Sequence, residues 1–232
     1  MASKFQTQKY PKTPHLPFSP EHQDDDVVLS NQHCTQFVGQ EVIITEKMDG
    51  GNCQLFQGKI FARTTNKEAT HASFGPIKQL YSQFSFLIPD HLVLFGENMY
   101  GIHSIEYNNL KSYFYLFAIL DLQDNRWYGW DEMINFINDN DLSSMVPIVP
   151  VLYRGTFTSL DEIKQWMDER IKDKKISQVG GGEGLEGFVI KSTQTFANKD
   201  FERNIAKYVR KGHIQTDENW GKTWKSAKIN YE

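Results

Sequence analysis

The stretch Ser112–Leu122, SYFYLFAILDL, constrains the fold more than any other part of the chain, because its aromatic and aliphatic β-formers leave little for water to face. Such a run reads as a buried strand, which needs other layers of structure to cover it. His91–Glu97 has the same character. Val42–Ile44 is a shorter β-branched run that leads into Glu46–Lys47 and then the turn residues Asp49-Gly50-Gly51. Cys53–Phe56 and Lys59–Thr64 flank Gln57-Gly58 and read as a hairpin. After the glycine run at 180–184 come two further strand candidates, Leu185–Lys191 and Asn204–Arg210. Met145–Tyr153 carries Pro147 and Pro150, so it reads as an edge strand or an extended connection.

Three helices are marked by their starts. Pro76 suits a first turn before Ile77, Leu80, Tyr81 and Phe84 at helical spacing. Asp131 precedes EMINFI, and Ser159 with Glu162 forms a capping box before IKQWMDERI. The mixture is α+β with antiparallel sheet. Residues 1–30 hold Pro11, Pro14, Pro17 and Pro20 and the acidic run Asp24–Asp26, and read as an extended arm, with the compact body starting near Val27. The remainder divides into a domain over 31–213 and a basic C-terminal extension over 214–232.

With 39% hydrophobic and 13% aromatic residues, the chain can fill a core and is not disordered throughout. A net charge of −4 gives no global attraction to a polyanion, so any nucleic-acid contact must be local. Between Lys199 and Lys228 eight basic side chains face four acidic ones, a local net of +4 that serves either as a solvated face or as such a patch. Two cysteines, Cys34 and Cys53, make no disulfide framework, and no zinc-ligand spacing occurs. With neither an apolar leader nor a run long enough to span a bilayer, a reducing, cytoplasmic location is expected, or the host cytoplasm for a virus-encoded protein.

Lys47 stands where a strand meets a glycine turn. A lysine amine becomes a nucleophile only when neutral, which requires burial or nearby positive charge. Glycines let backbone approach a phosphate closely, and a bound triphosphate supplies an electrophile. Asp49 either shapes the turn or joins the chemistry. Glu186 and Lys207 flank or occupy strands too apolar for unpaired charges, which favours ligands for both. Cys53 reads as a small packed side chain, and His103 as a loop histidine.

Six segments in order carry a family resemblance: EKMDGGN (46–52), FART (61–64), FGENMYG (95–101), YLFAIL (115–120), EGFVIK (186–191) and IAKYVRK (205–211). Together they resemble the motifs of the covalent nucleotidyltransferases, the superfamily of ATP-dependent DNA ligases, RNA ligases and messenger RNA capping enzymes. Within it the phage RNA ligase 2 branch is most similar. The likeness rests on Glu46 directly before the lysine, Asn52 five positions after it, Phe117 twenty after Glu97 and Lys191 five after Glu186. One departure is visible: many relatives have Lys-x-Lys in the last motif, whereas this chain has Lys207-Tyr208-Val209, followed by Arg210 and Lys211.

The resemblance implies a nucleotidyltransferase (adenylation) domain of twisted antiparallel sheets with flanking helices and a central nucleotide pocket. It implies that Lys47 carries AMP, with Glu46, Asn52, Arg63, Glu97, Phe117, Lys191 and Lys207 holding ATP and Glu186 a magnesium or manganese ion. Among these, Arg63 would touch the sugar or the strand end, Glu97 the ribose hydroxyls, Phe117 the purine, and Lys191 and Lys207 the phosphates. Phe117 also reads as an ordinary core aromatic. The reaction implied is ATP-dependent joining of RNA 5′-phosphate and 3′-hydroxyl ends, with the basic C-terminal segment gripping the RNA. A DNA ligase adenylation domain or a GTP-using capping enzyme is the alternative, but both usually rely on an OB-fold domain, which about 20 residues after the last motif cannot form. A non-catalytic nucleotide- or RNA-binding module would require lost residues, and none of Lys47, Glu97, Glu186 or Lys207 is missing.

Overall fold

The structure, a computed structural model, describes residues 4–63, 67–182, 184–213 and 225–230. Two antiparallel sheets form its frame. The smaller contains β1 (Glu41–Lys47), β7 (Val151–Thr156), β8 (Gly187–Ser192) and β10 (Ile205–Val209), in the order β10-β8-β1-β7. The larger contains β2 (Gly51–Phe56), β3 (Lys59–Ala62), β4 (Leu92–Asn98), β5 (Phe114–Asp121), β6 (Arg126–Trp127) and β9 (Phe196–Ala197), in the order β3-β2-β4-β5-β6-β9.

β1 is buried on both faces, and strand alternation divides its side chains between two cores. Ile43 joins the apolar cluster of Leu94, Phe114 and Leu116 from the larger sheet. Val42 and Ile44 point the other way, onto Phe157 and Phe188 and onto Ile163 and Met167 of helix α4 (Leu160–Arg170). The smaller sheet is thus the middle layer, with apolar side chains packed on both of its faces. Gln57 and Gly58 both have positive φ (49° and 74°), the backbone of a tight hairpin turn between β2 and β3.

The remaining helices are α1 (Asn31–Cys34), α2 (Gly75–Ser82), α3 (Trp130–Asp139) and α5 (Phe201–Asn204). α2 begins with Pro76 in its first turn, and Ser159 Oγ caps α4 by accepting from Glu162 N at 3.1 Å. At α3 the cap is Gly129, whose N–H donates to Glu132, while Asp131 instead pairs with Arg154 at 2.7 Å.

The N-terminal arm is extended, but it lies on the body and does not precede it. Leu16 is fully buried beside Phe37 and Phe188, and Tyr10 packs edge-on against Phe117, Trp127 and Phe201. Residues 225–230 return to the 100–110 loop, with Ala227 N donating to Tyr100 O and Asn230 N to Leu110 O. No helix among the described residues is long and apolar enough to cross a membrane.

Candidate active site

Lys47 closes β1 and pairs in register with Gly187, the first residue of β8. That register brings Glu186, one position earlier, to the lysine, with Nζ 2.5 Å from Glu186 Oε1. Only glycine suits position 187, because a Cβ there would lie 1.9 Å from the Tyr208 carbonyl oxygen on β10. Burial alone would pull the Lys47 amine down, but Glu186, Glu97 and Asp49 outweigh it and hold the amine above its ordinary value. The resting lysine is therefore an ion-paired ammonium.

Asp49 ties the turn after β1 to the loop that follows β4. Its Oδ2 accepts from Ser104 N (2.8 Å), Ser104 Oγ (2.6 Å) and Ile105 N (2.9 Å). Burial would raise this carboxyl, but His213 and Ser104 reverse the effect and hold it well below the usual range. His213 Nε2 lies 3.7 Å from both Asp49 Oδ1 and Glu186 Oε1, and this buried nitrogen has no hydrogen-bond partner. Ligand atoms of the three side chains all lie within 4.8 Å of one another. An orphaned buried nitrogen facing two carboxylates is a donor set that a divalent cation such as manganese accepts, so Glu186 fits a metal role with Asp49 and His213 beside it.

Glu97 on β4 lies opposite Asn52 on β2. Burial pushes the Glu97 carboxyl up to about 8, with Lys47 opposing and Glu186 and Asp49 adding to the rise. Asn52 Oδ1 is buried without a partner. Glu46 is buried, accepts from Ser177 Oγ at 2.9 and 3.1 Å, and is pushed up to about 7 by burial against those bonds.

Phe117 owes its position to a bulge. The β4–β5 register passes from Phe95↔Ala118 to Gly96↔Leu116, which leaves Phe117 unmatched and turns it out of the strand's alternation. Its carbonyl oxygen is thereby free to accept from Lys191 Nζ at 2.6 Å, and burial pulls the Lys191 amine down to about 7. Lys207 on β10 stands opposite Val189 of β8, with Nζ 3.6 Å from Asp26 Oδ1. Arg63 is exposed on the loop after β3.

All nine residues singled out in the sequence, Glu46, Lys47, Asn52, Arg63, Glu97, Phe117, Glu186, Lys191 and Lys207, line one cavity of about 1000 Å³ between the sheets. Cys53 is fully buried, and burial pushes its thiol far up, as a packed side chain requires. Tyr10, Lys12 and Asp26 of the arm line the same cavity, and His213 stands at the metal-ligand cluster, although no motif marks any of the four. Tyr10 and Leu16 are the available signal for the arm, being large apolar residues each set directly before a proline where a solvated arm would have none. Nothing in the sequence brings His213 to Glu186.

Two antiparallel sheets facing across a cleft, with a lysine at a strand end inside it, make this a ligase nucleotidyltransferase-type fold. The chain resembles the Naegleria gruberi RNA ligase solved with PPi, at 18% identity and a TM-score of 0.56 over 77% of this chain and 52% of that one. A point mutant of that ligase, solved with ATP and Mn, gives 16% identity and a TM-score of 0.57 over 91% and 62%. A candidate ATP-dependent DNA ligase from Aquifex aeolicus gives 18% and 0.54 over 88% and 50%. The chain thus spans about half the length of the first structures it matches. No curated protein sequence matches it. Residues 40–209 match the RNA ligase family, and the chain belongs to that family.

Proposed function

We propose that the chain is an ATP-dependent RNA ligase working through a lysyl-AMP intermediate, nearest to the phage RNA ligase 2 branch. The observation that carries this reading is the convergence of side chains from position 46 to position 207 on one cavity, with Lys47 against buried Glu186. Lys47 Nζ, once deprotonated, attacks the α-phosphorus of ATP. A P–N bond forms, the α–β P–O bond breaks, and pyrophosphate leaves. An RNA 5′-phosphate oxygen then takes the AMP from the lysine, which regains its proton. Finally a 3′-hydroxyl attacks the activated 5′-phosphate and expels AMP.

Lys191 and Lys207 offset the charge that develops on phosphate oxygens, Glu97 and Asn52 supply acceptors for sugar hydroxyls, and Phe117 offers a flat face to the base. A magnesium or manganese ion held by Glu186, with Asp49 and His213, would neutralise phosphate charge and draw Glu186 away from Lys47. The related ligase solved with ATP and Mn supports ATP and a divalent metal as the cofactors. Incubating the protein with labelled ATP or GTP tests the nucleotide: label from ATP alone is expected to become covalent, and label from GTP alone would favour a capping reaction.

Phe117→Ala should weaken ATP use about tenfold, while Phe117→Tyr largely retains it, since an aromatic contact is worth about 0.5–1.5 kcal/mol beyond its burial. Rates of lysyl-AMP formation across an ATP titration decide this. If the alanine variant melts earlier yet its folded fraction reacts normally, Phe117 is only a packing residue.

The basic C-terminal segment is proposed to hold the RNA strand. Lys225 and Lys228 are exposed, while Lys222 lies outside the described residues. Neutralising all three should spare lysyl-AMP formation, reduce sealing and flatten its salt dependence through fewer released counterions. Sealing equal to the parent's across a salt titration would place the strand elsewhere.

A further inference from the structure

The last motif departs from Lys-x-Lys, and the structure shows that its neighbours do not fill the gap. Val209 is buried, and its N–H donates to Ser19 Oγ at 3.0 Å. Arg210 Nε donates to the Leu185 carbonyl at 2.7 Å, and Lys211 is exposed; neither lines the cavity. A second cation does reach the neighbourhood of Lys207, from the other end of the chain. The arm is pinned along β10, with Lys207 N donating to Pro14 O at 2.8 Å and Leu16 N to Lys207 O at 2.9 Å. Lys12, two residues before Pro14, is thereby set on the cavity wall beside Lys207.

The two ammonium groups converge on one anionic oxygen. Asp26 Oδ1 lies 3.3 Å from Lys12 Nζ and 3.6 Å from Lys207 Nζ, while Asp26 Oδ2 is held by Gln23 N at 2.9 Å and His15 Nε2 at 3.1 Å. Lys12 also donates to Asp25, at 2.8 Å to Oδ2 and 2.7 Å to its carbonyl oxygen. Asp25 is largely exposed, and such an ion pair is weak against a competing polyanion. An anionic oxygen lying between two lysine ammonium groups inside a nucleotide-sized cavity marks where a phosphate oxygen is stable, because both positive charges attract it.

We propose that Lys12 is a phosphate-binding residue of this active site, delivered by the N-terminal arm to work beside Lys207. The inference rests on the ligase reading. Its ligand is a phosphate group in the cavity, either the triphosphate tail of ATP or the 5′-phosphate of the strand. The arm is then a working wall of the site, and Asp25 is the tether that parks Lys12 when no phosphate is bound.

The test compares the full-length parent with Lys12→Ala, Lys12→Arg and Asp25→Asn in two assays. One follows lysyl-AMP formation across an ATP titration with pyrophosphate as inhibitor. The other follows AMP transfer from preformed lysyl-AMP protein to a 5′-phosphorylated RNA strand. Lys12→Ala should lose about ten- to hundredfold, in KM for ATP and pyrophosphate inhibition if the tail is the ligand, or in transfer if the strand is. Lys12→Arg should recover most of the loss, and Asp25→Asn should show none. Equal behaviour of Lys12→Ala and the parent in both assays would overturn the proposal. So would an equal loss in Asp25→Asn, which would reduce Lys12 to a structural tie of the arm. Melting temperatures identify the folded fraction, and Lys12 is partly exposed, so its truncation should not unfold the chain. Failure of the parent itself to form lysyl-AMP would instead count against the ligase reading.

Discussion

Lys47→Ala is expected to abolish the covalent AMP adduct formed with ATP and a divalent metal, with no residual labelling at another lysine. Neither Lys191 nor Lys207, the other motif lysines that line the cavity, shares its surroundings. Lys191 donates to the Phe117 carbonyl, and Lys207 leans toward Asp26, so neither is set against the Glu186 carboxylate as Lys47 is. Lys47→Arg should fail equally, because a guanidinium stays protonated and cannot attack phosphorus. Intact-mass measurement reads the result directly, and an adduct that persists in Lys47→Ala would move the nucleophile elsewhere.

Glu186→Ala should be the next most damaging change. Glu186 is 1% exposed, touches Lys47, and faces His213 and Asp49. Removing it takes away the ion-pair partner of the proposed nucleophile Lys47 and one of the oxygens available to a cation. Loss of a preorganised electrostatic contact of this kind typically costs about 10²–10³ in rate. The variant should also need more Mn²⁺ to reach its own maximum. Time courses of adduct formation at several metal concentrations check both effects. A rate within about threefold of the parent, with unchanged metal dependence, would make Glu186 a packing residue.

Part of the candidate site is legible in the sequence because Lys47 and Glu186 sit at strand ends, and strand ends are marked by turn residues. Val42–Ile44 followed by Lys47 and Asp49-Gly50-Gly51 specifies a strand entering a turn, and β1 ends at Lys47. The β-rich character of 112–122 is equally plain, and β5 occupies 114–121 within it. What stays hidden depends on register and on distant packing. Alternation along β5 gives no sign of the bulge that turns Phe117 into the cavity, since the bulge exists only in the pairing with β4. Four prolines argue for an extended arm, but an extended backbone still carries side chains, and Leu16 is buried beside β10 while Tyr10 packs partly buried against aromatic side chains of the larger sheet. His213 meets Asp49 and Glu186 only because β10 and β8 are neighbours, which no local pattern announces.

Passage of AMP from Lys47 to an RNA end is tested most directly by loading the protein with AMP, removing free ATP, and adding a nicked duplex. Its broken strand should be RNA with a 5′-phosphate and a 3′-hydroxyl. AMP is predicted to leave the protein, appear on the RNA 5′-phosphate, and be released as the strands become joined. The contrary result is AMP that stays on Lys47 in the presence of every RNA strand tried, or that moves only to a DNA end.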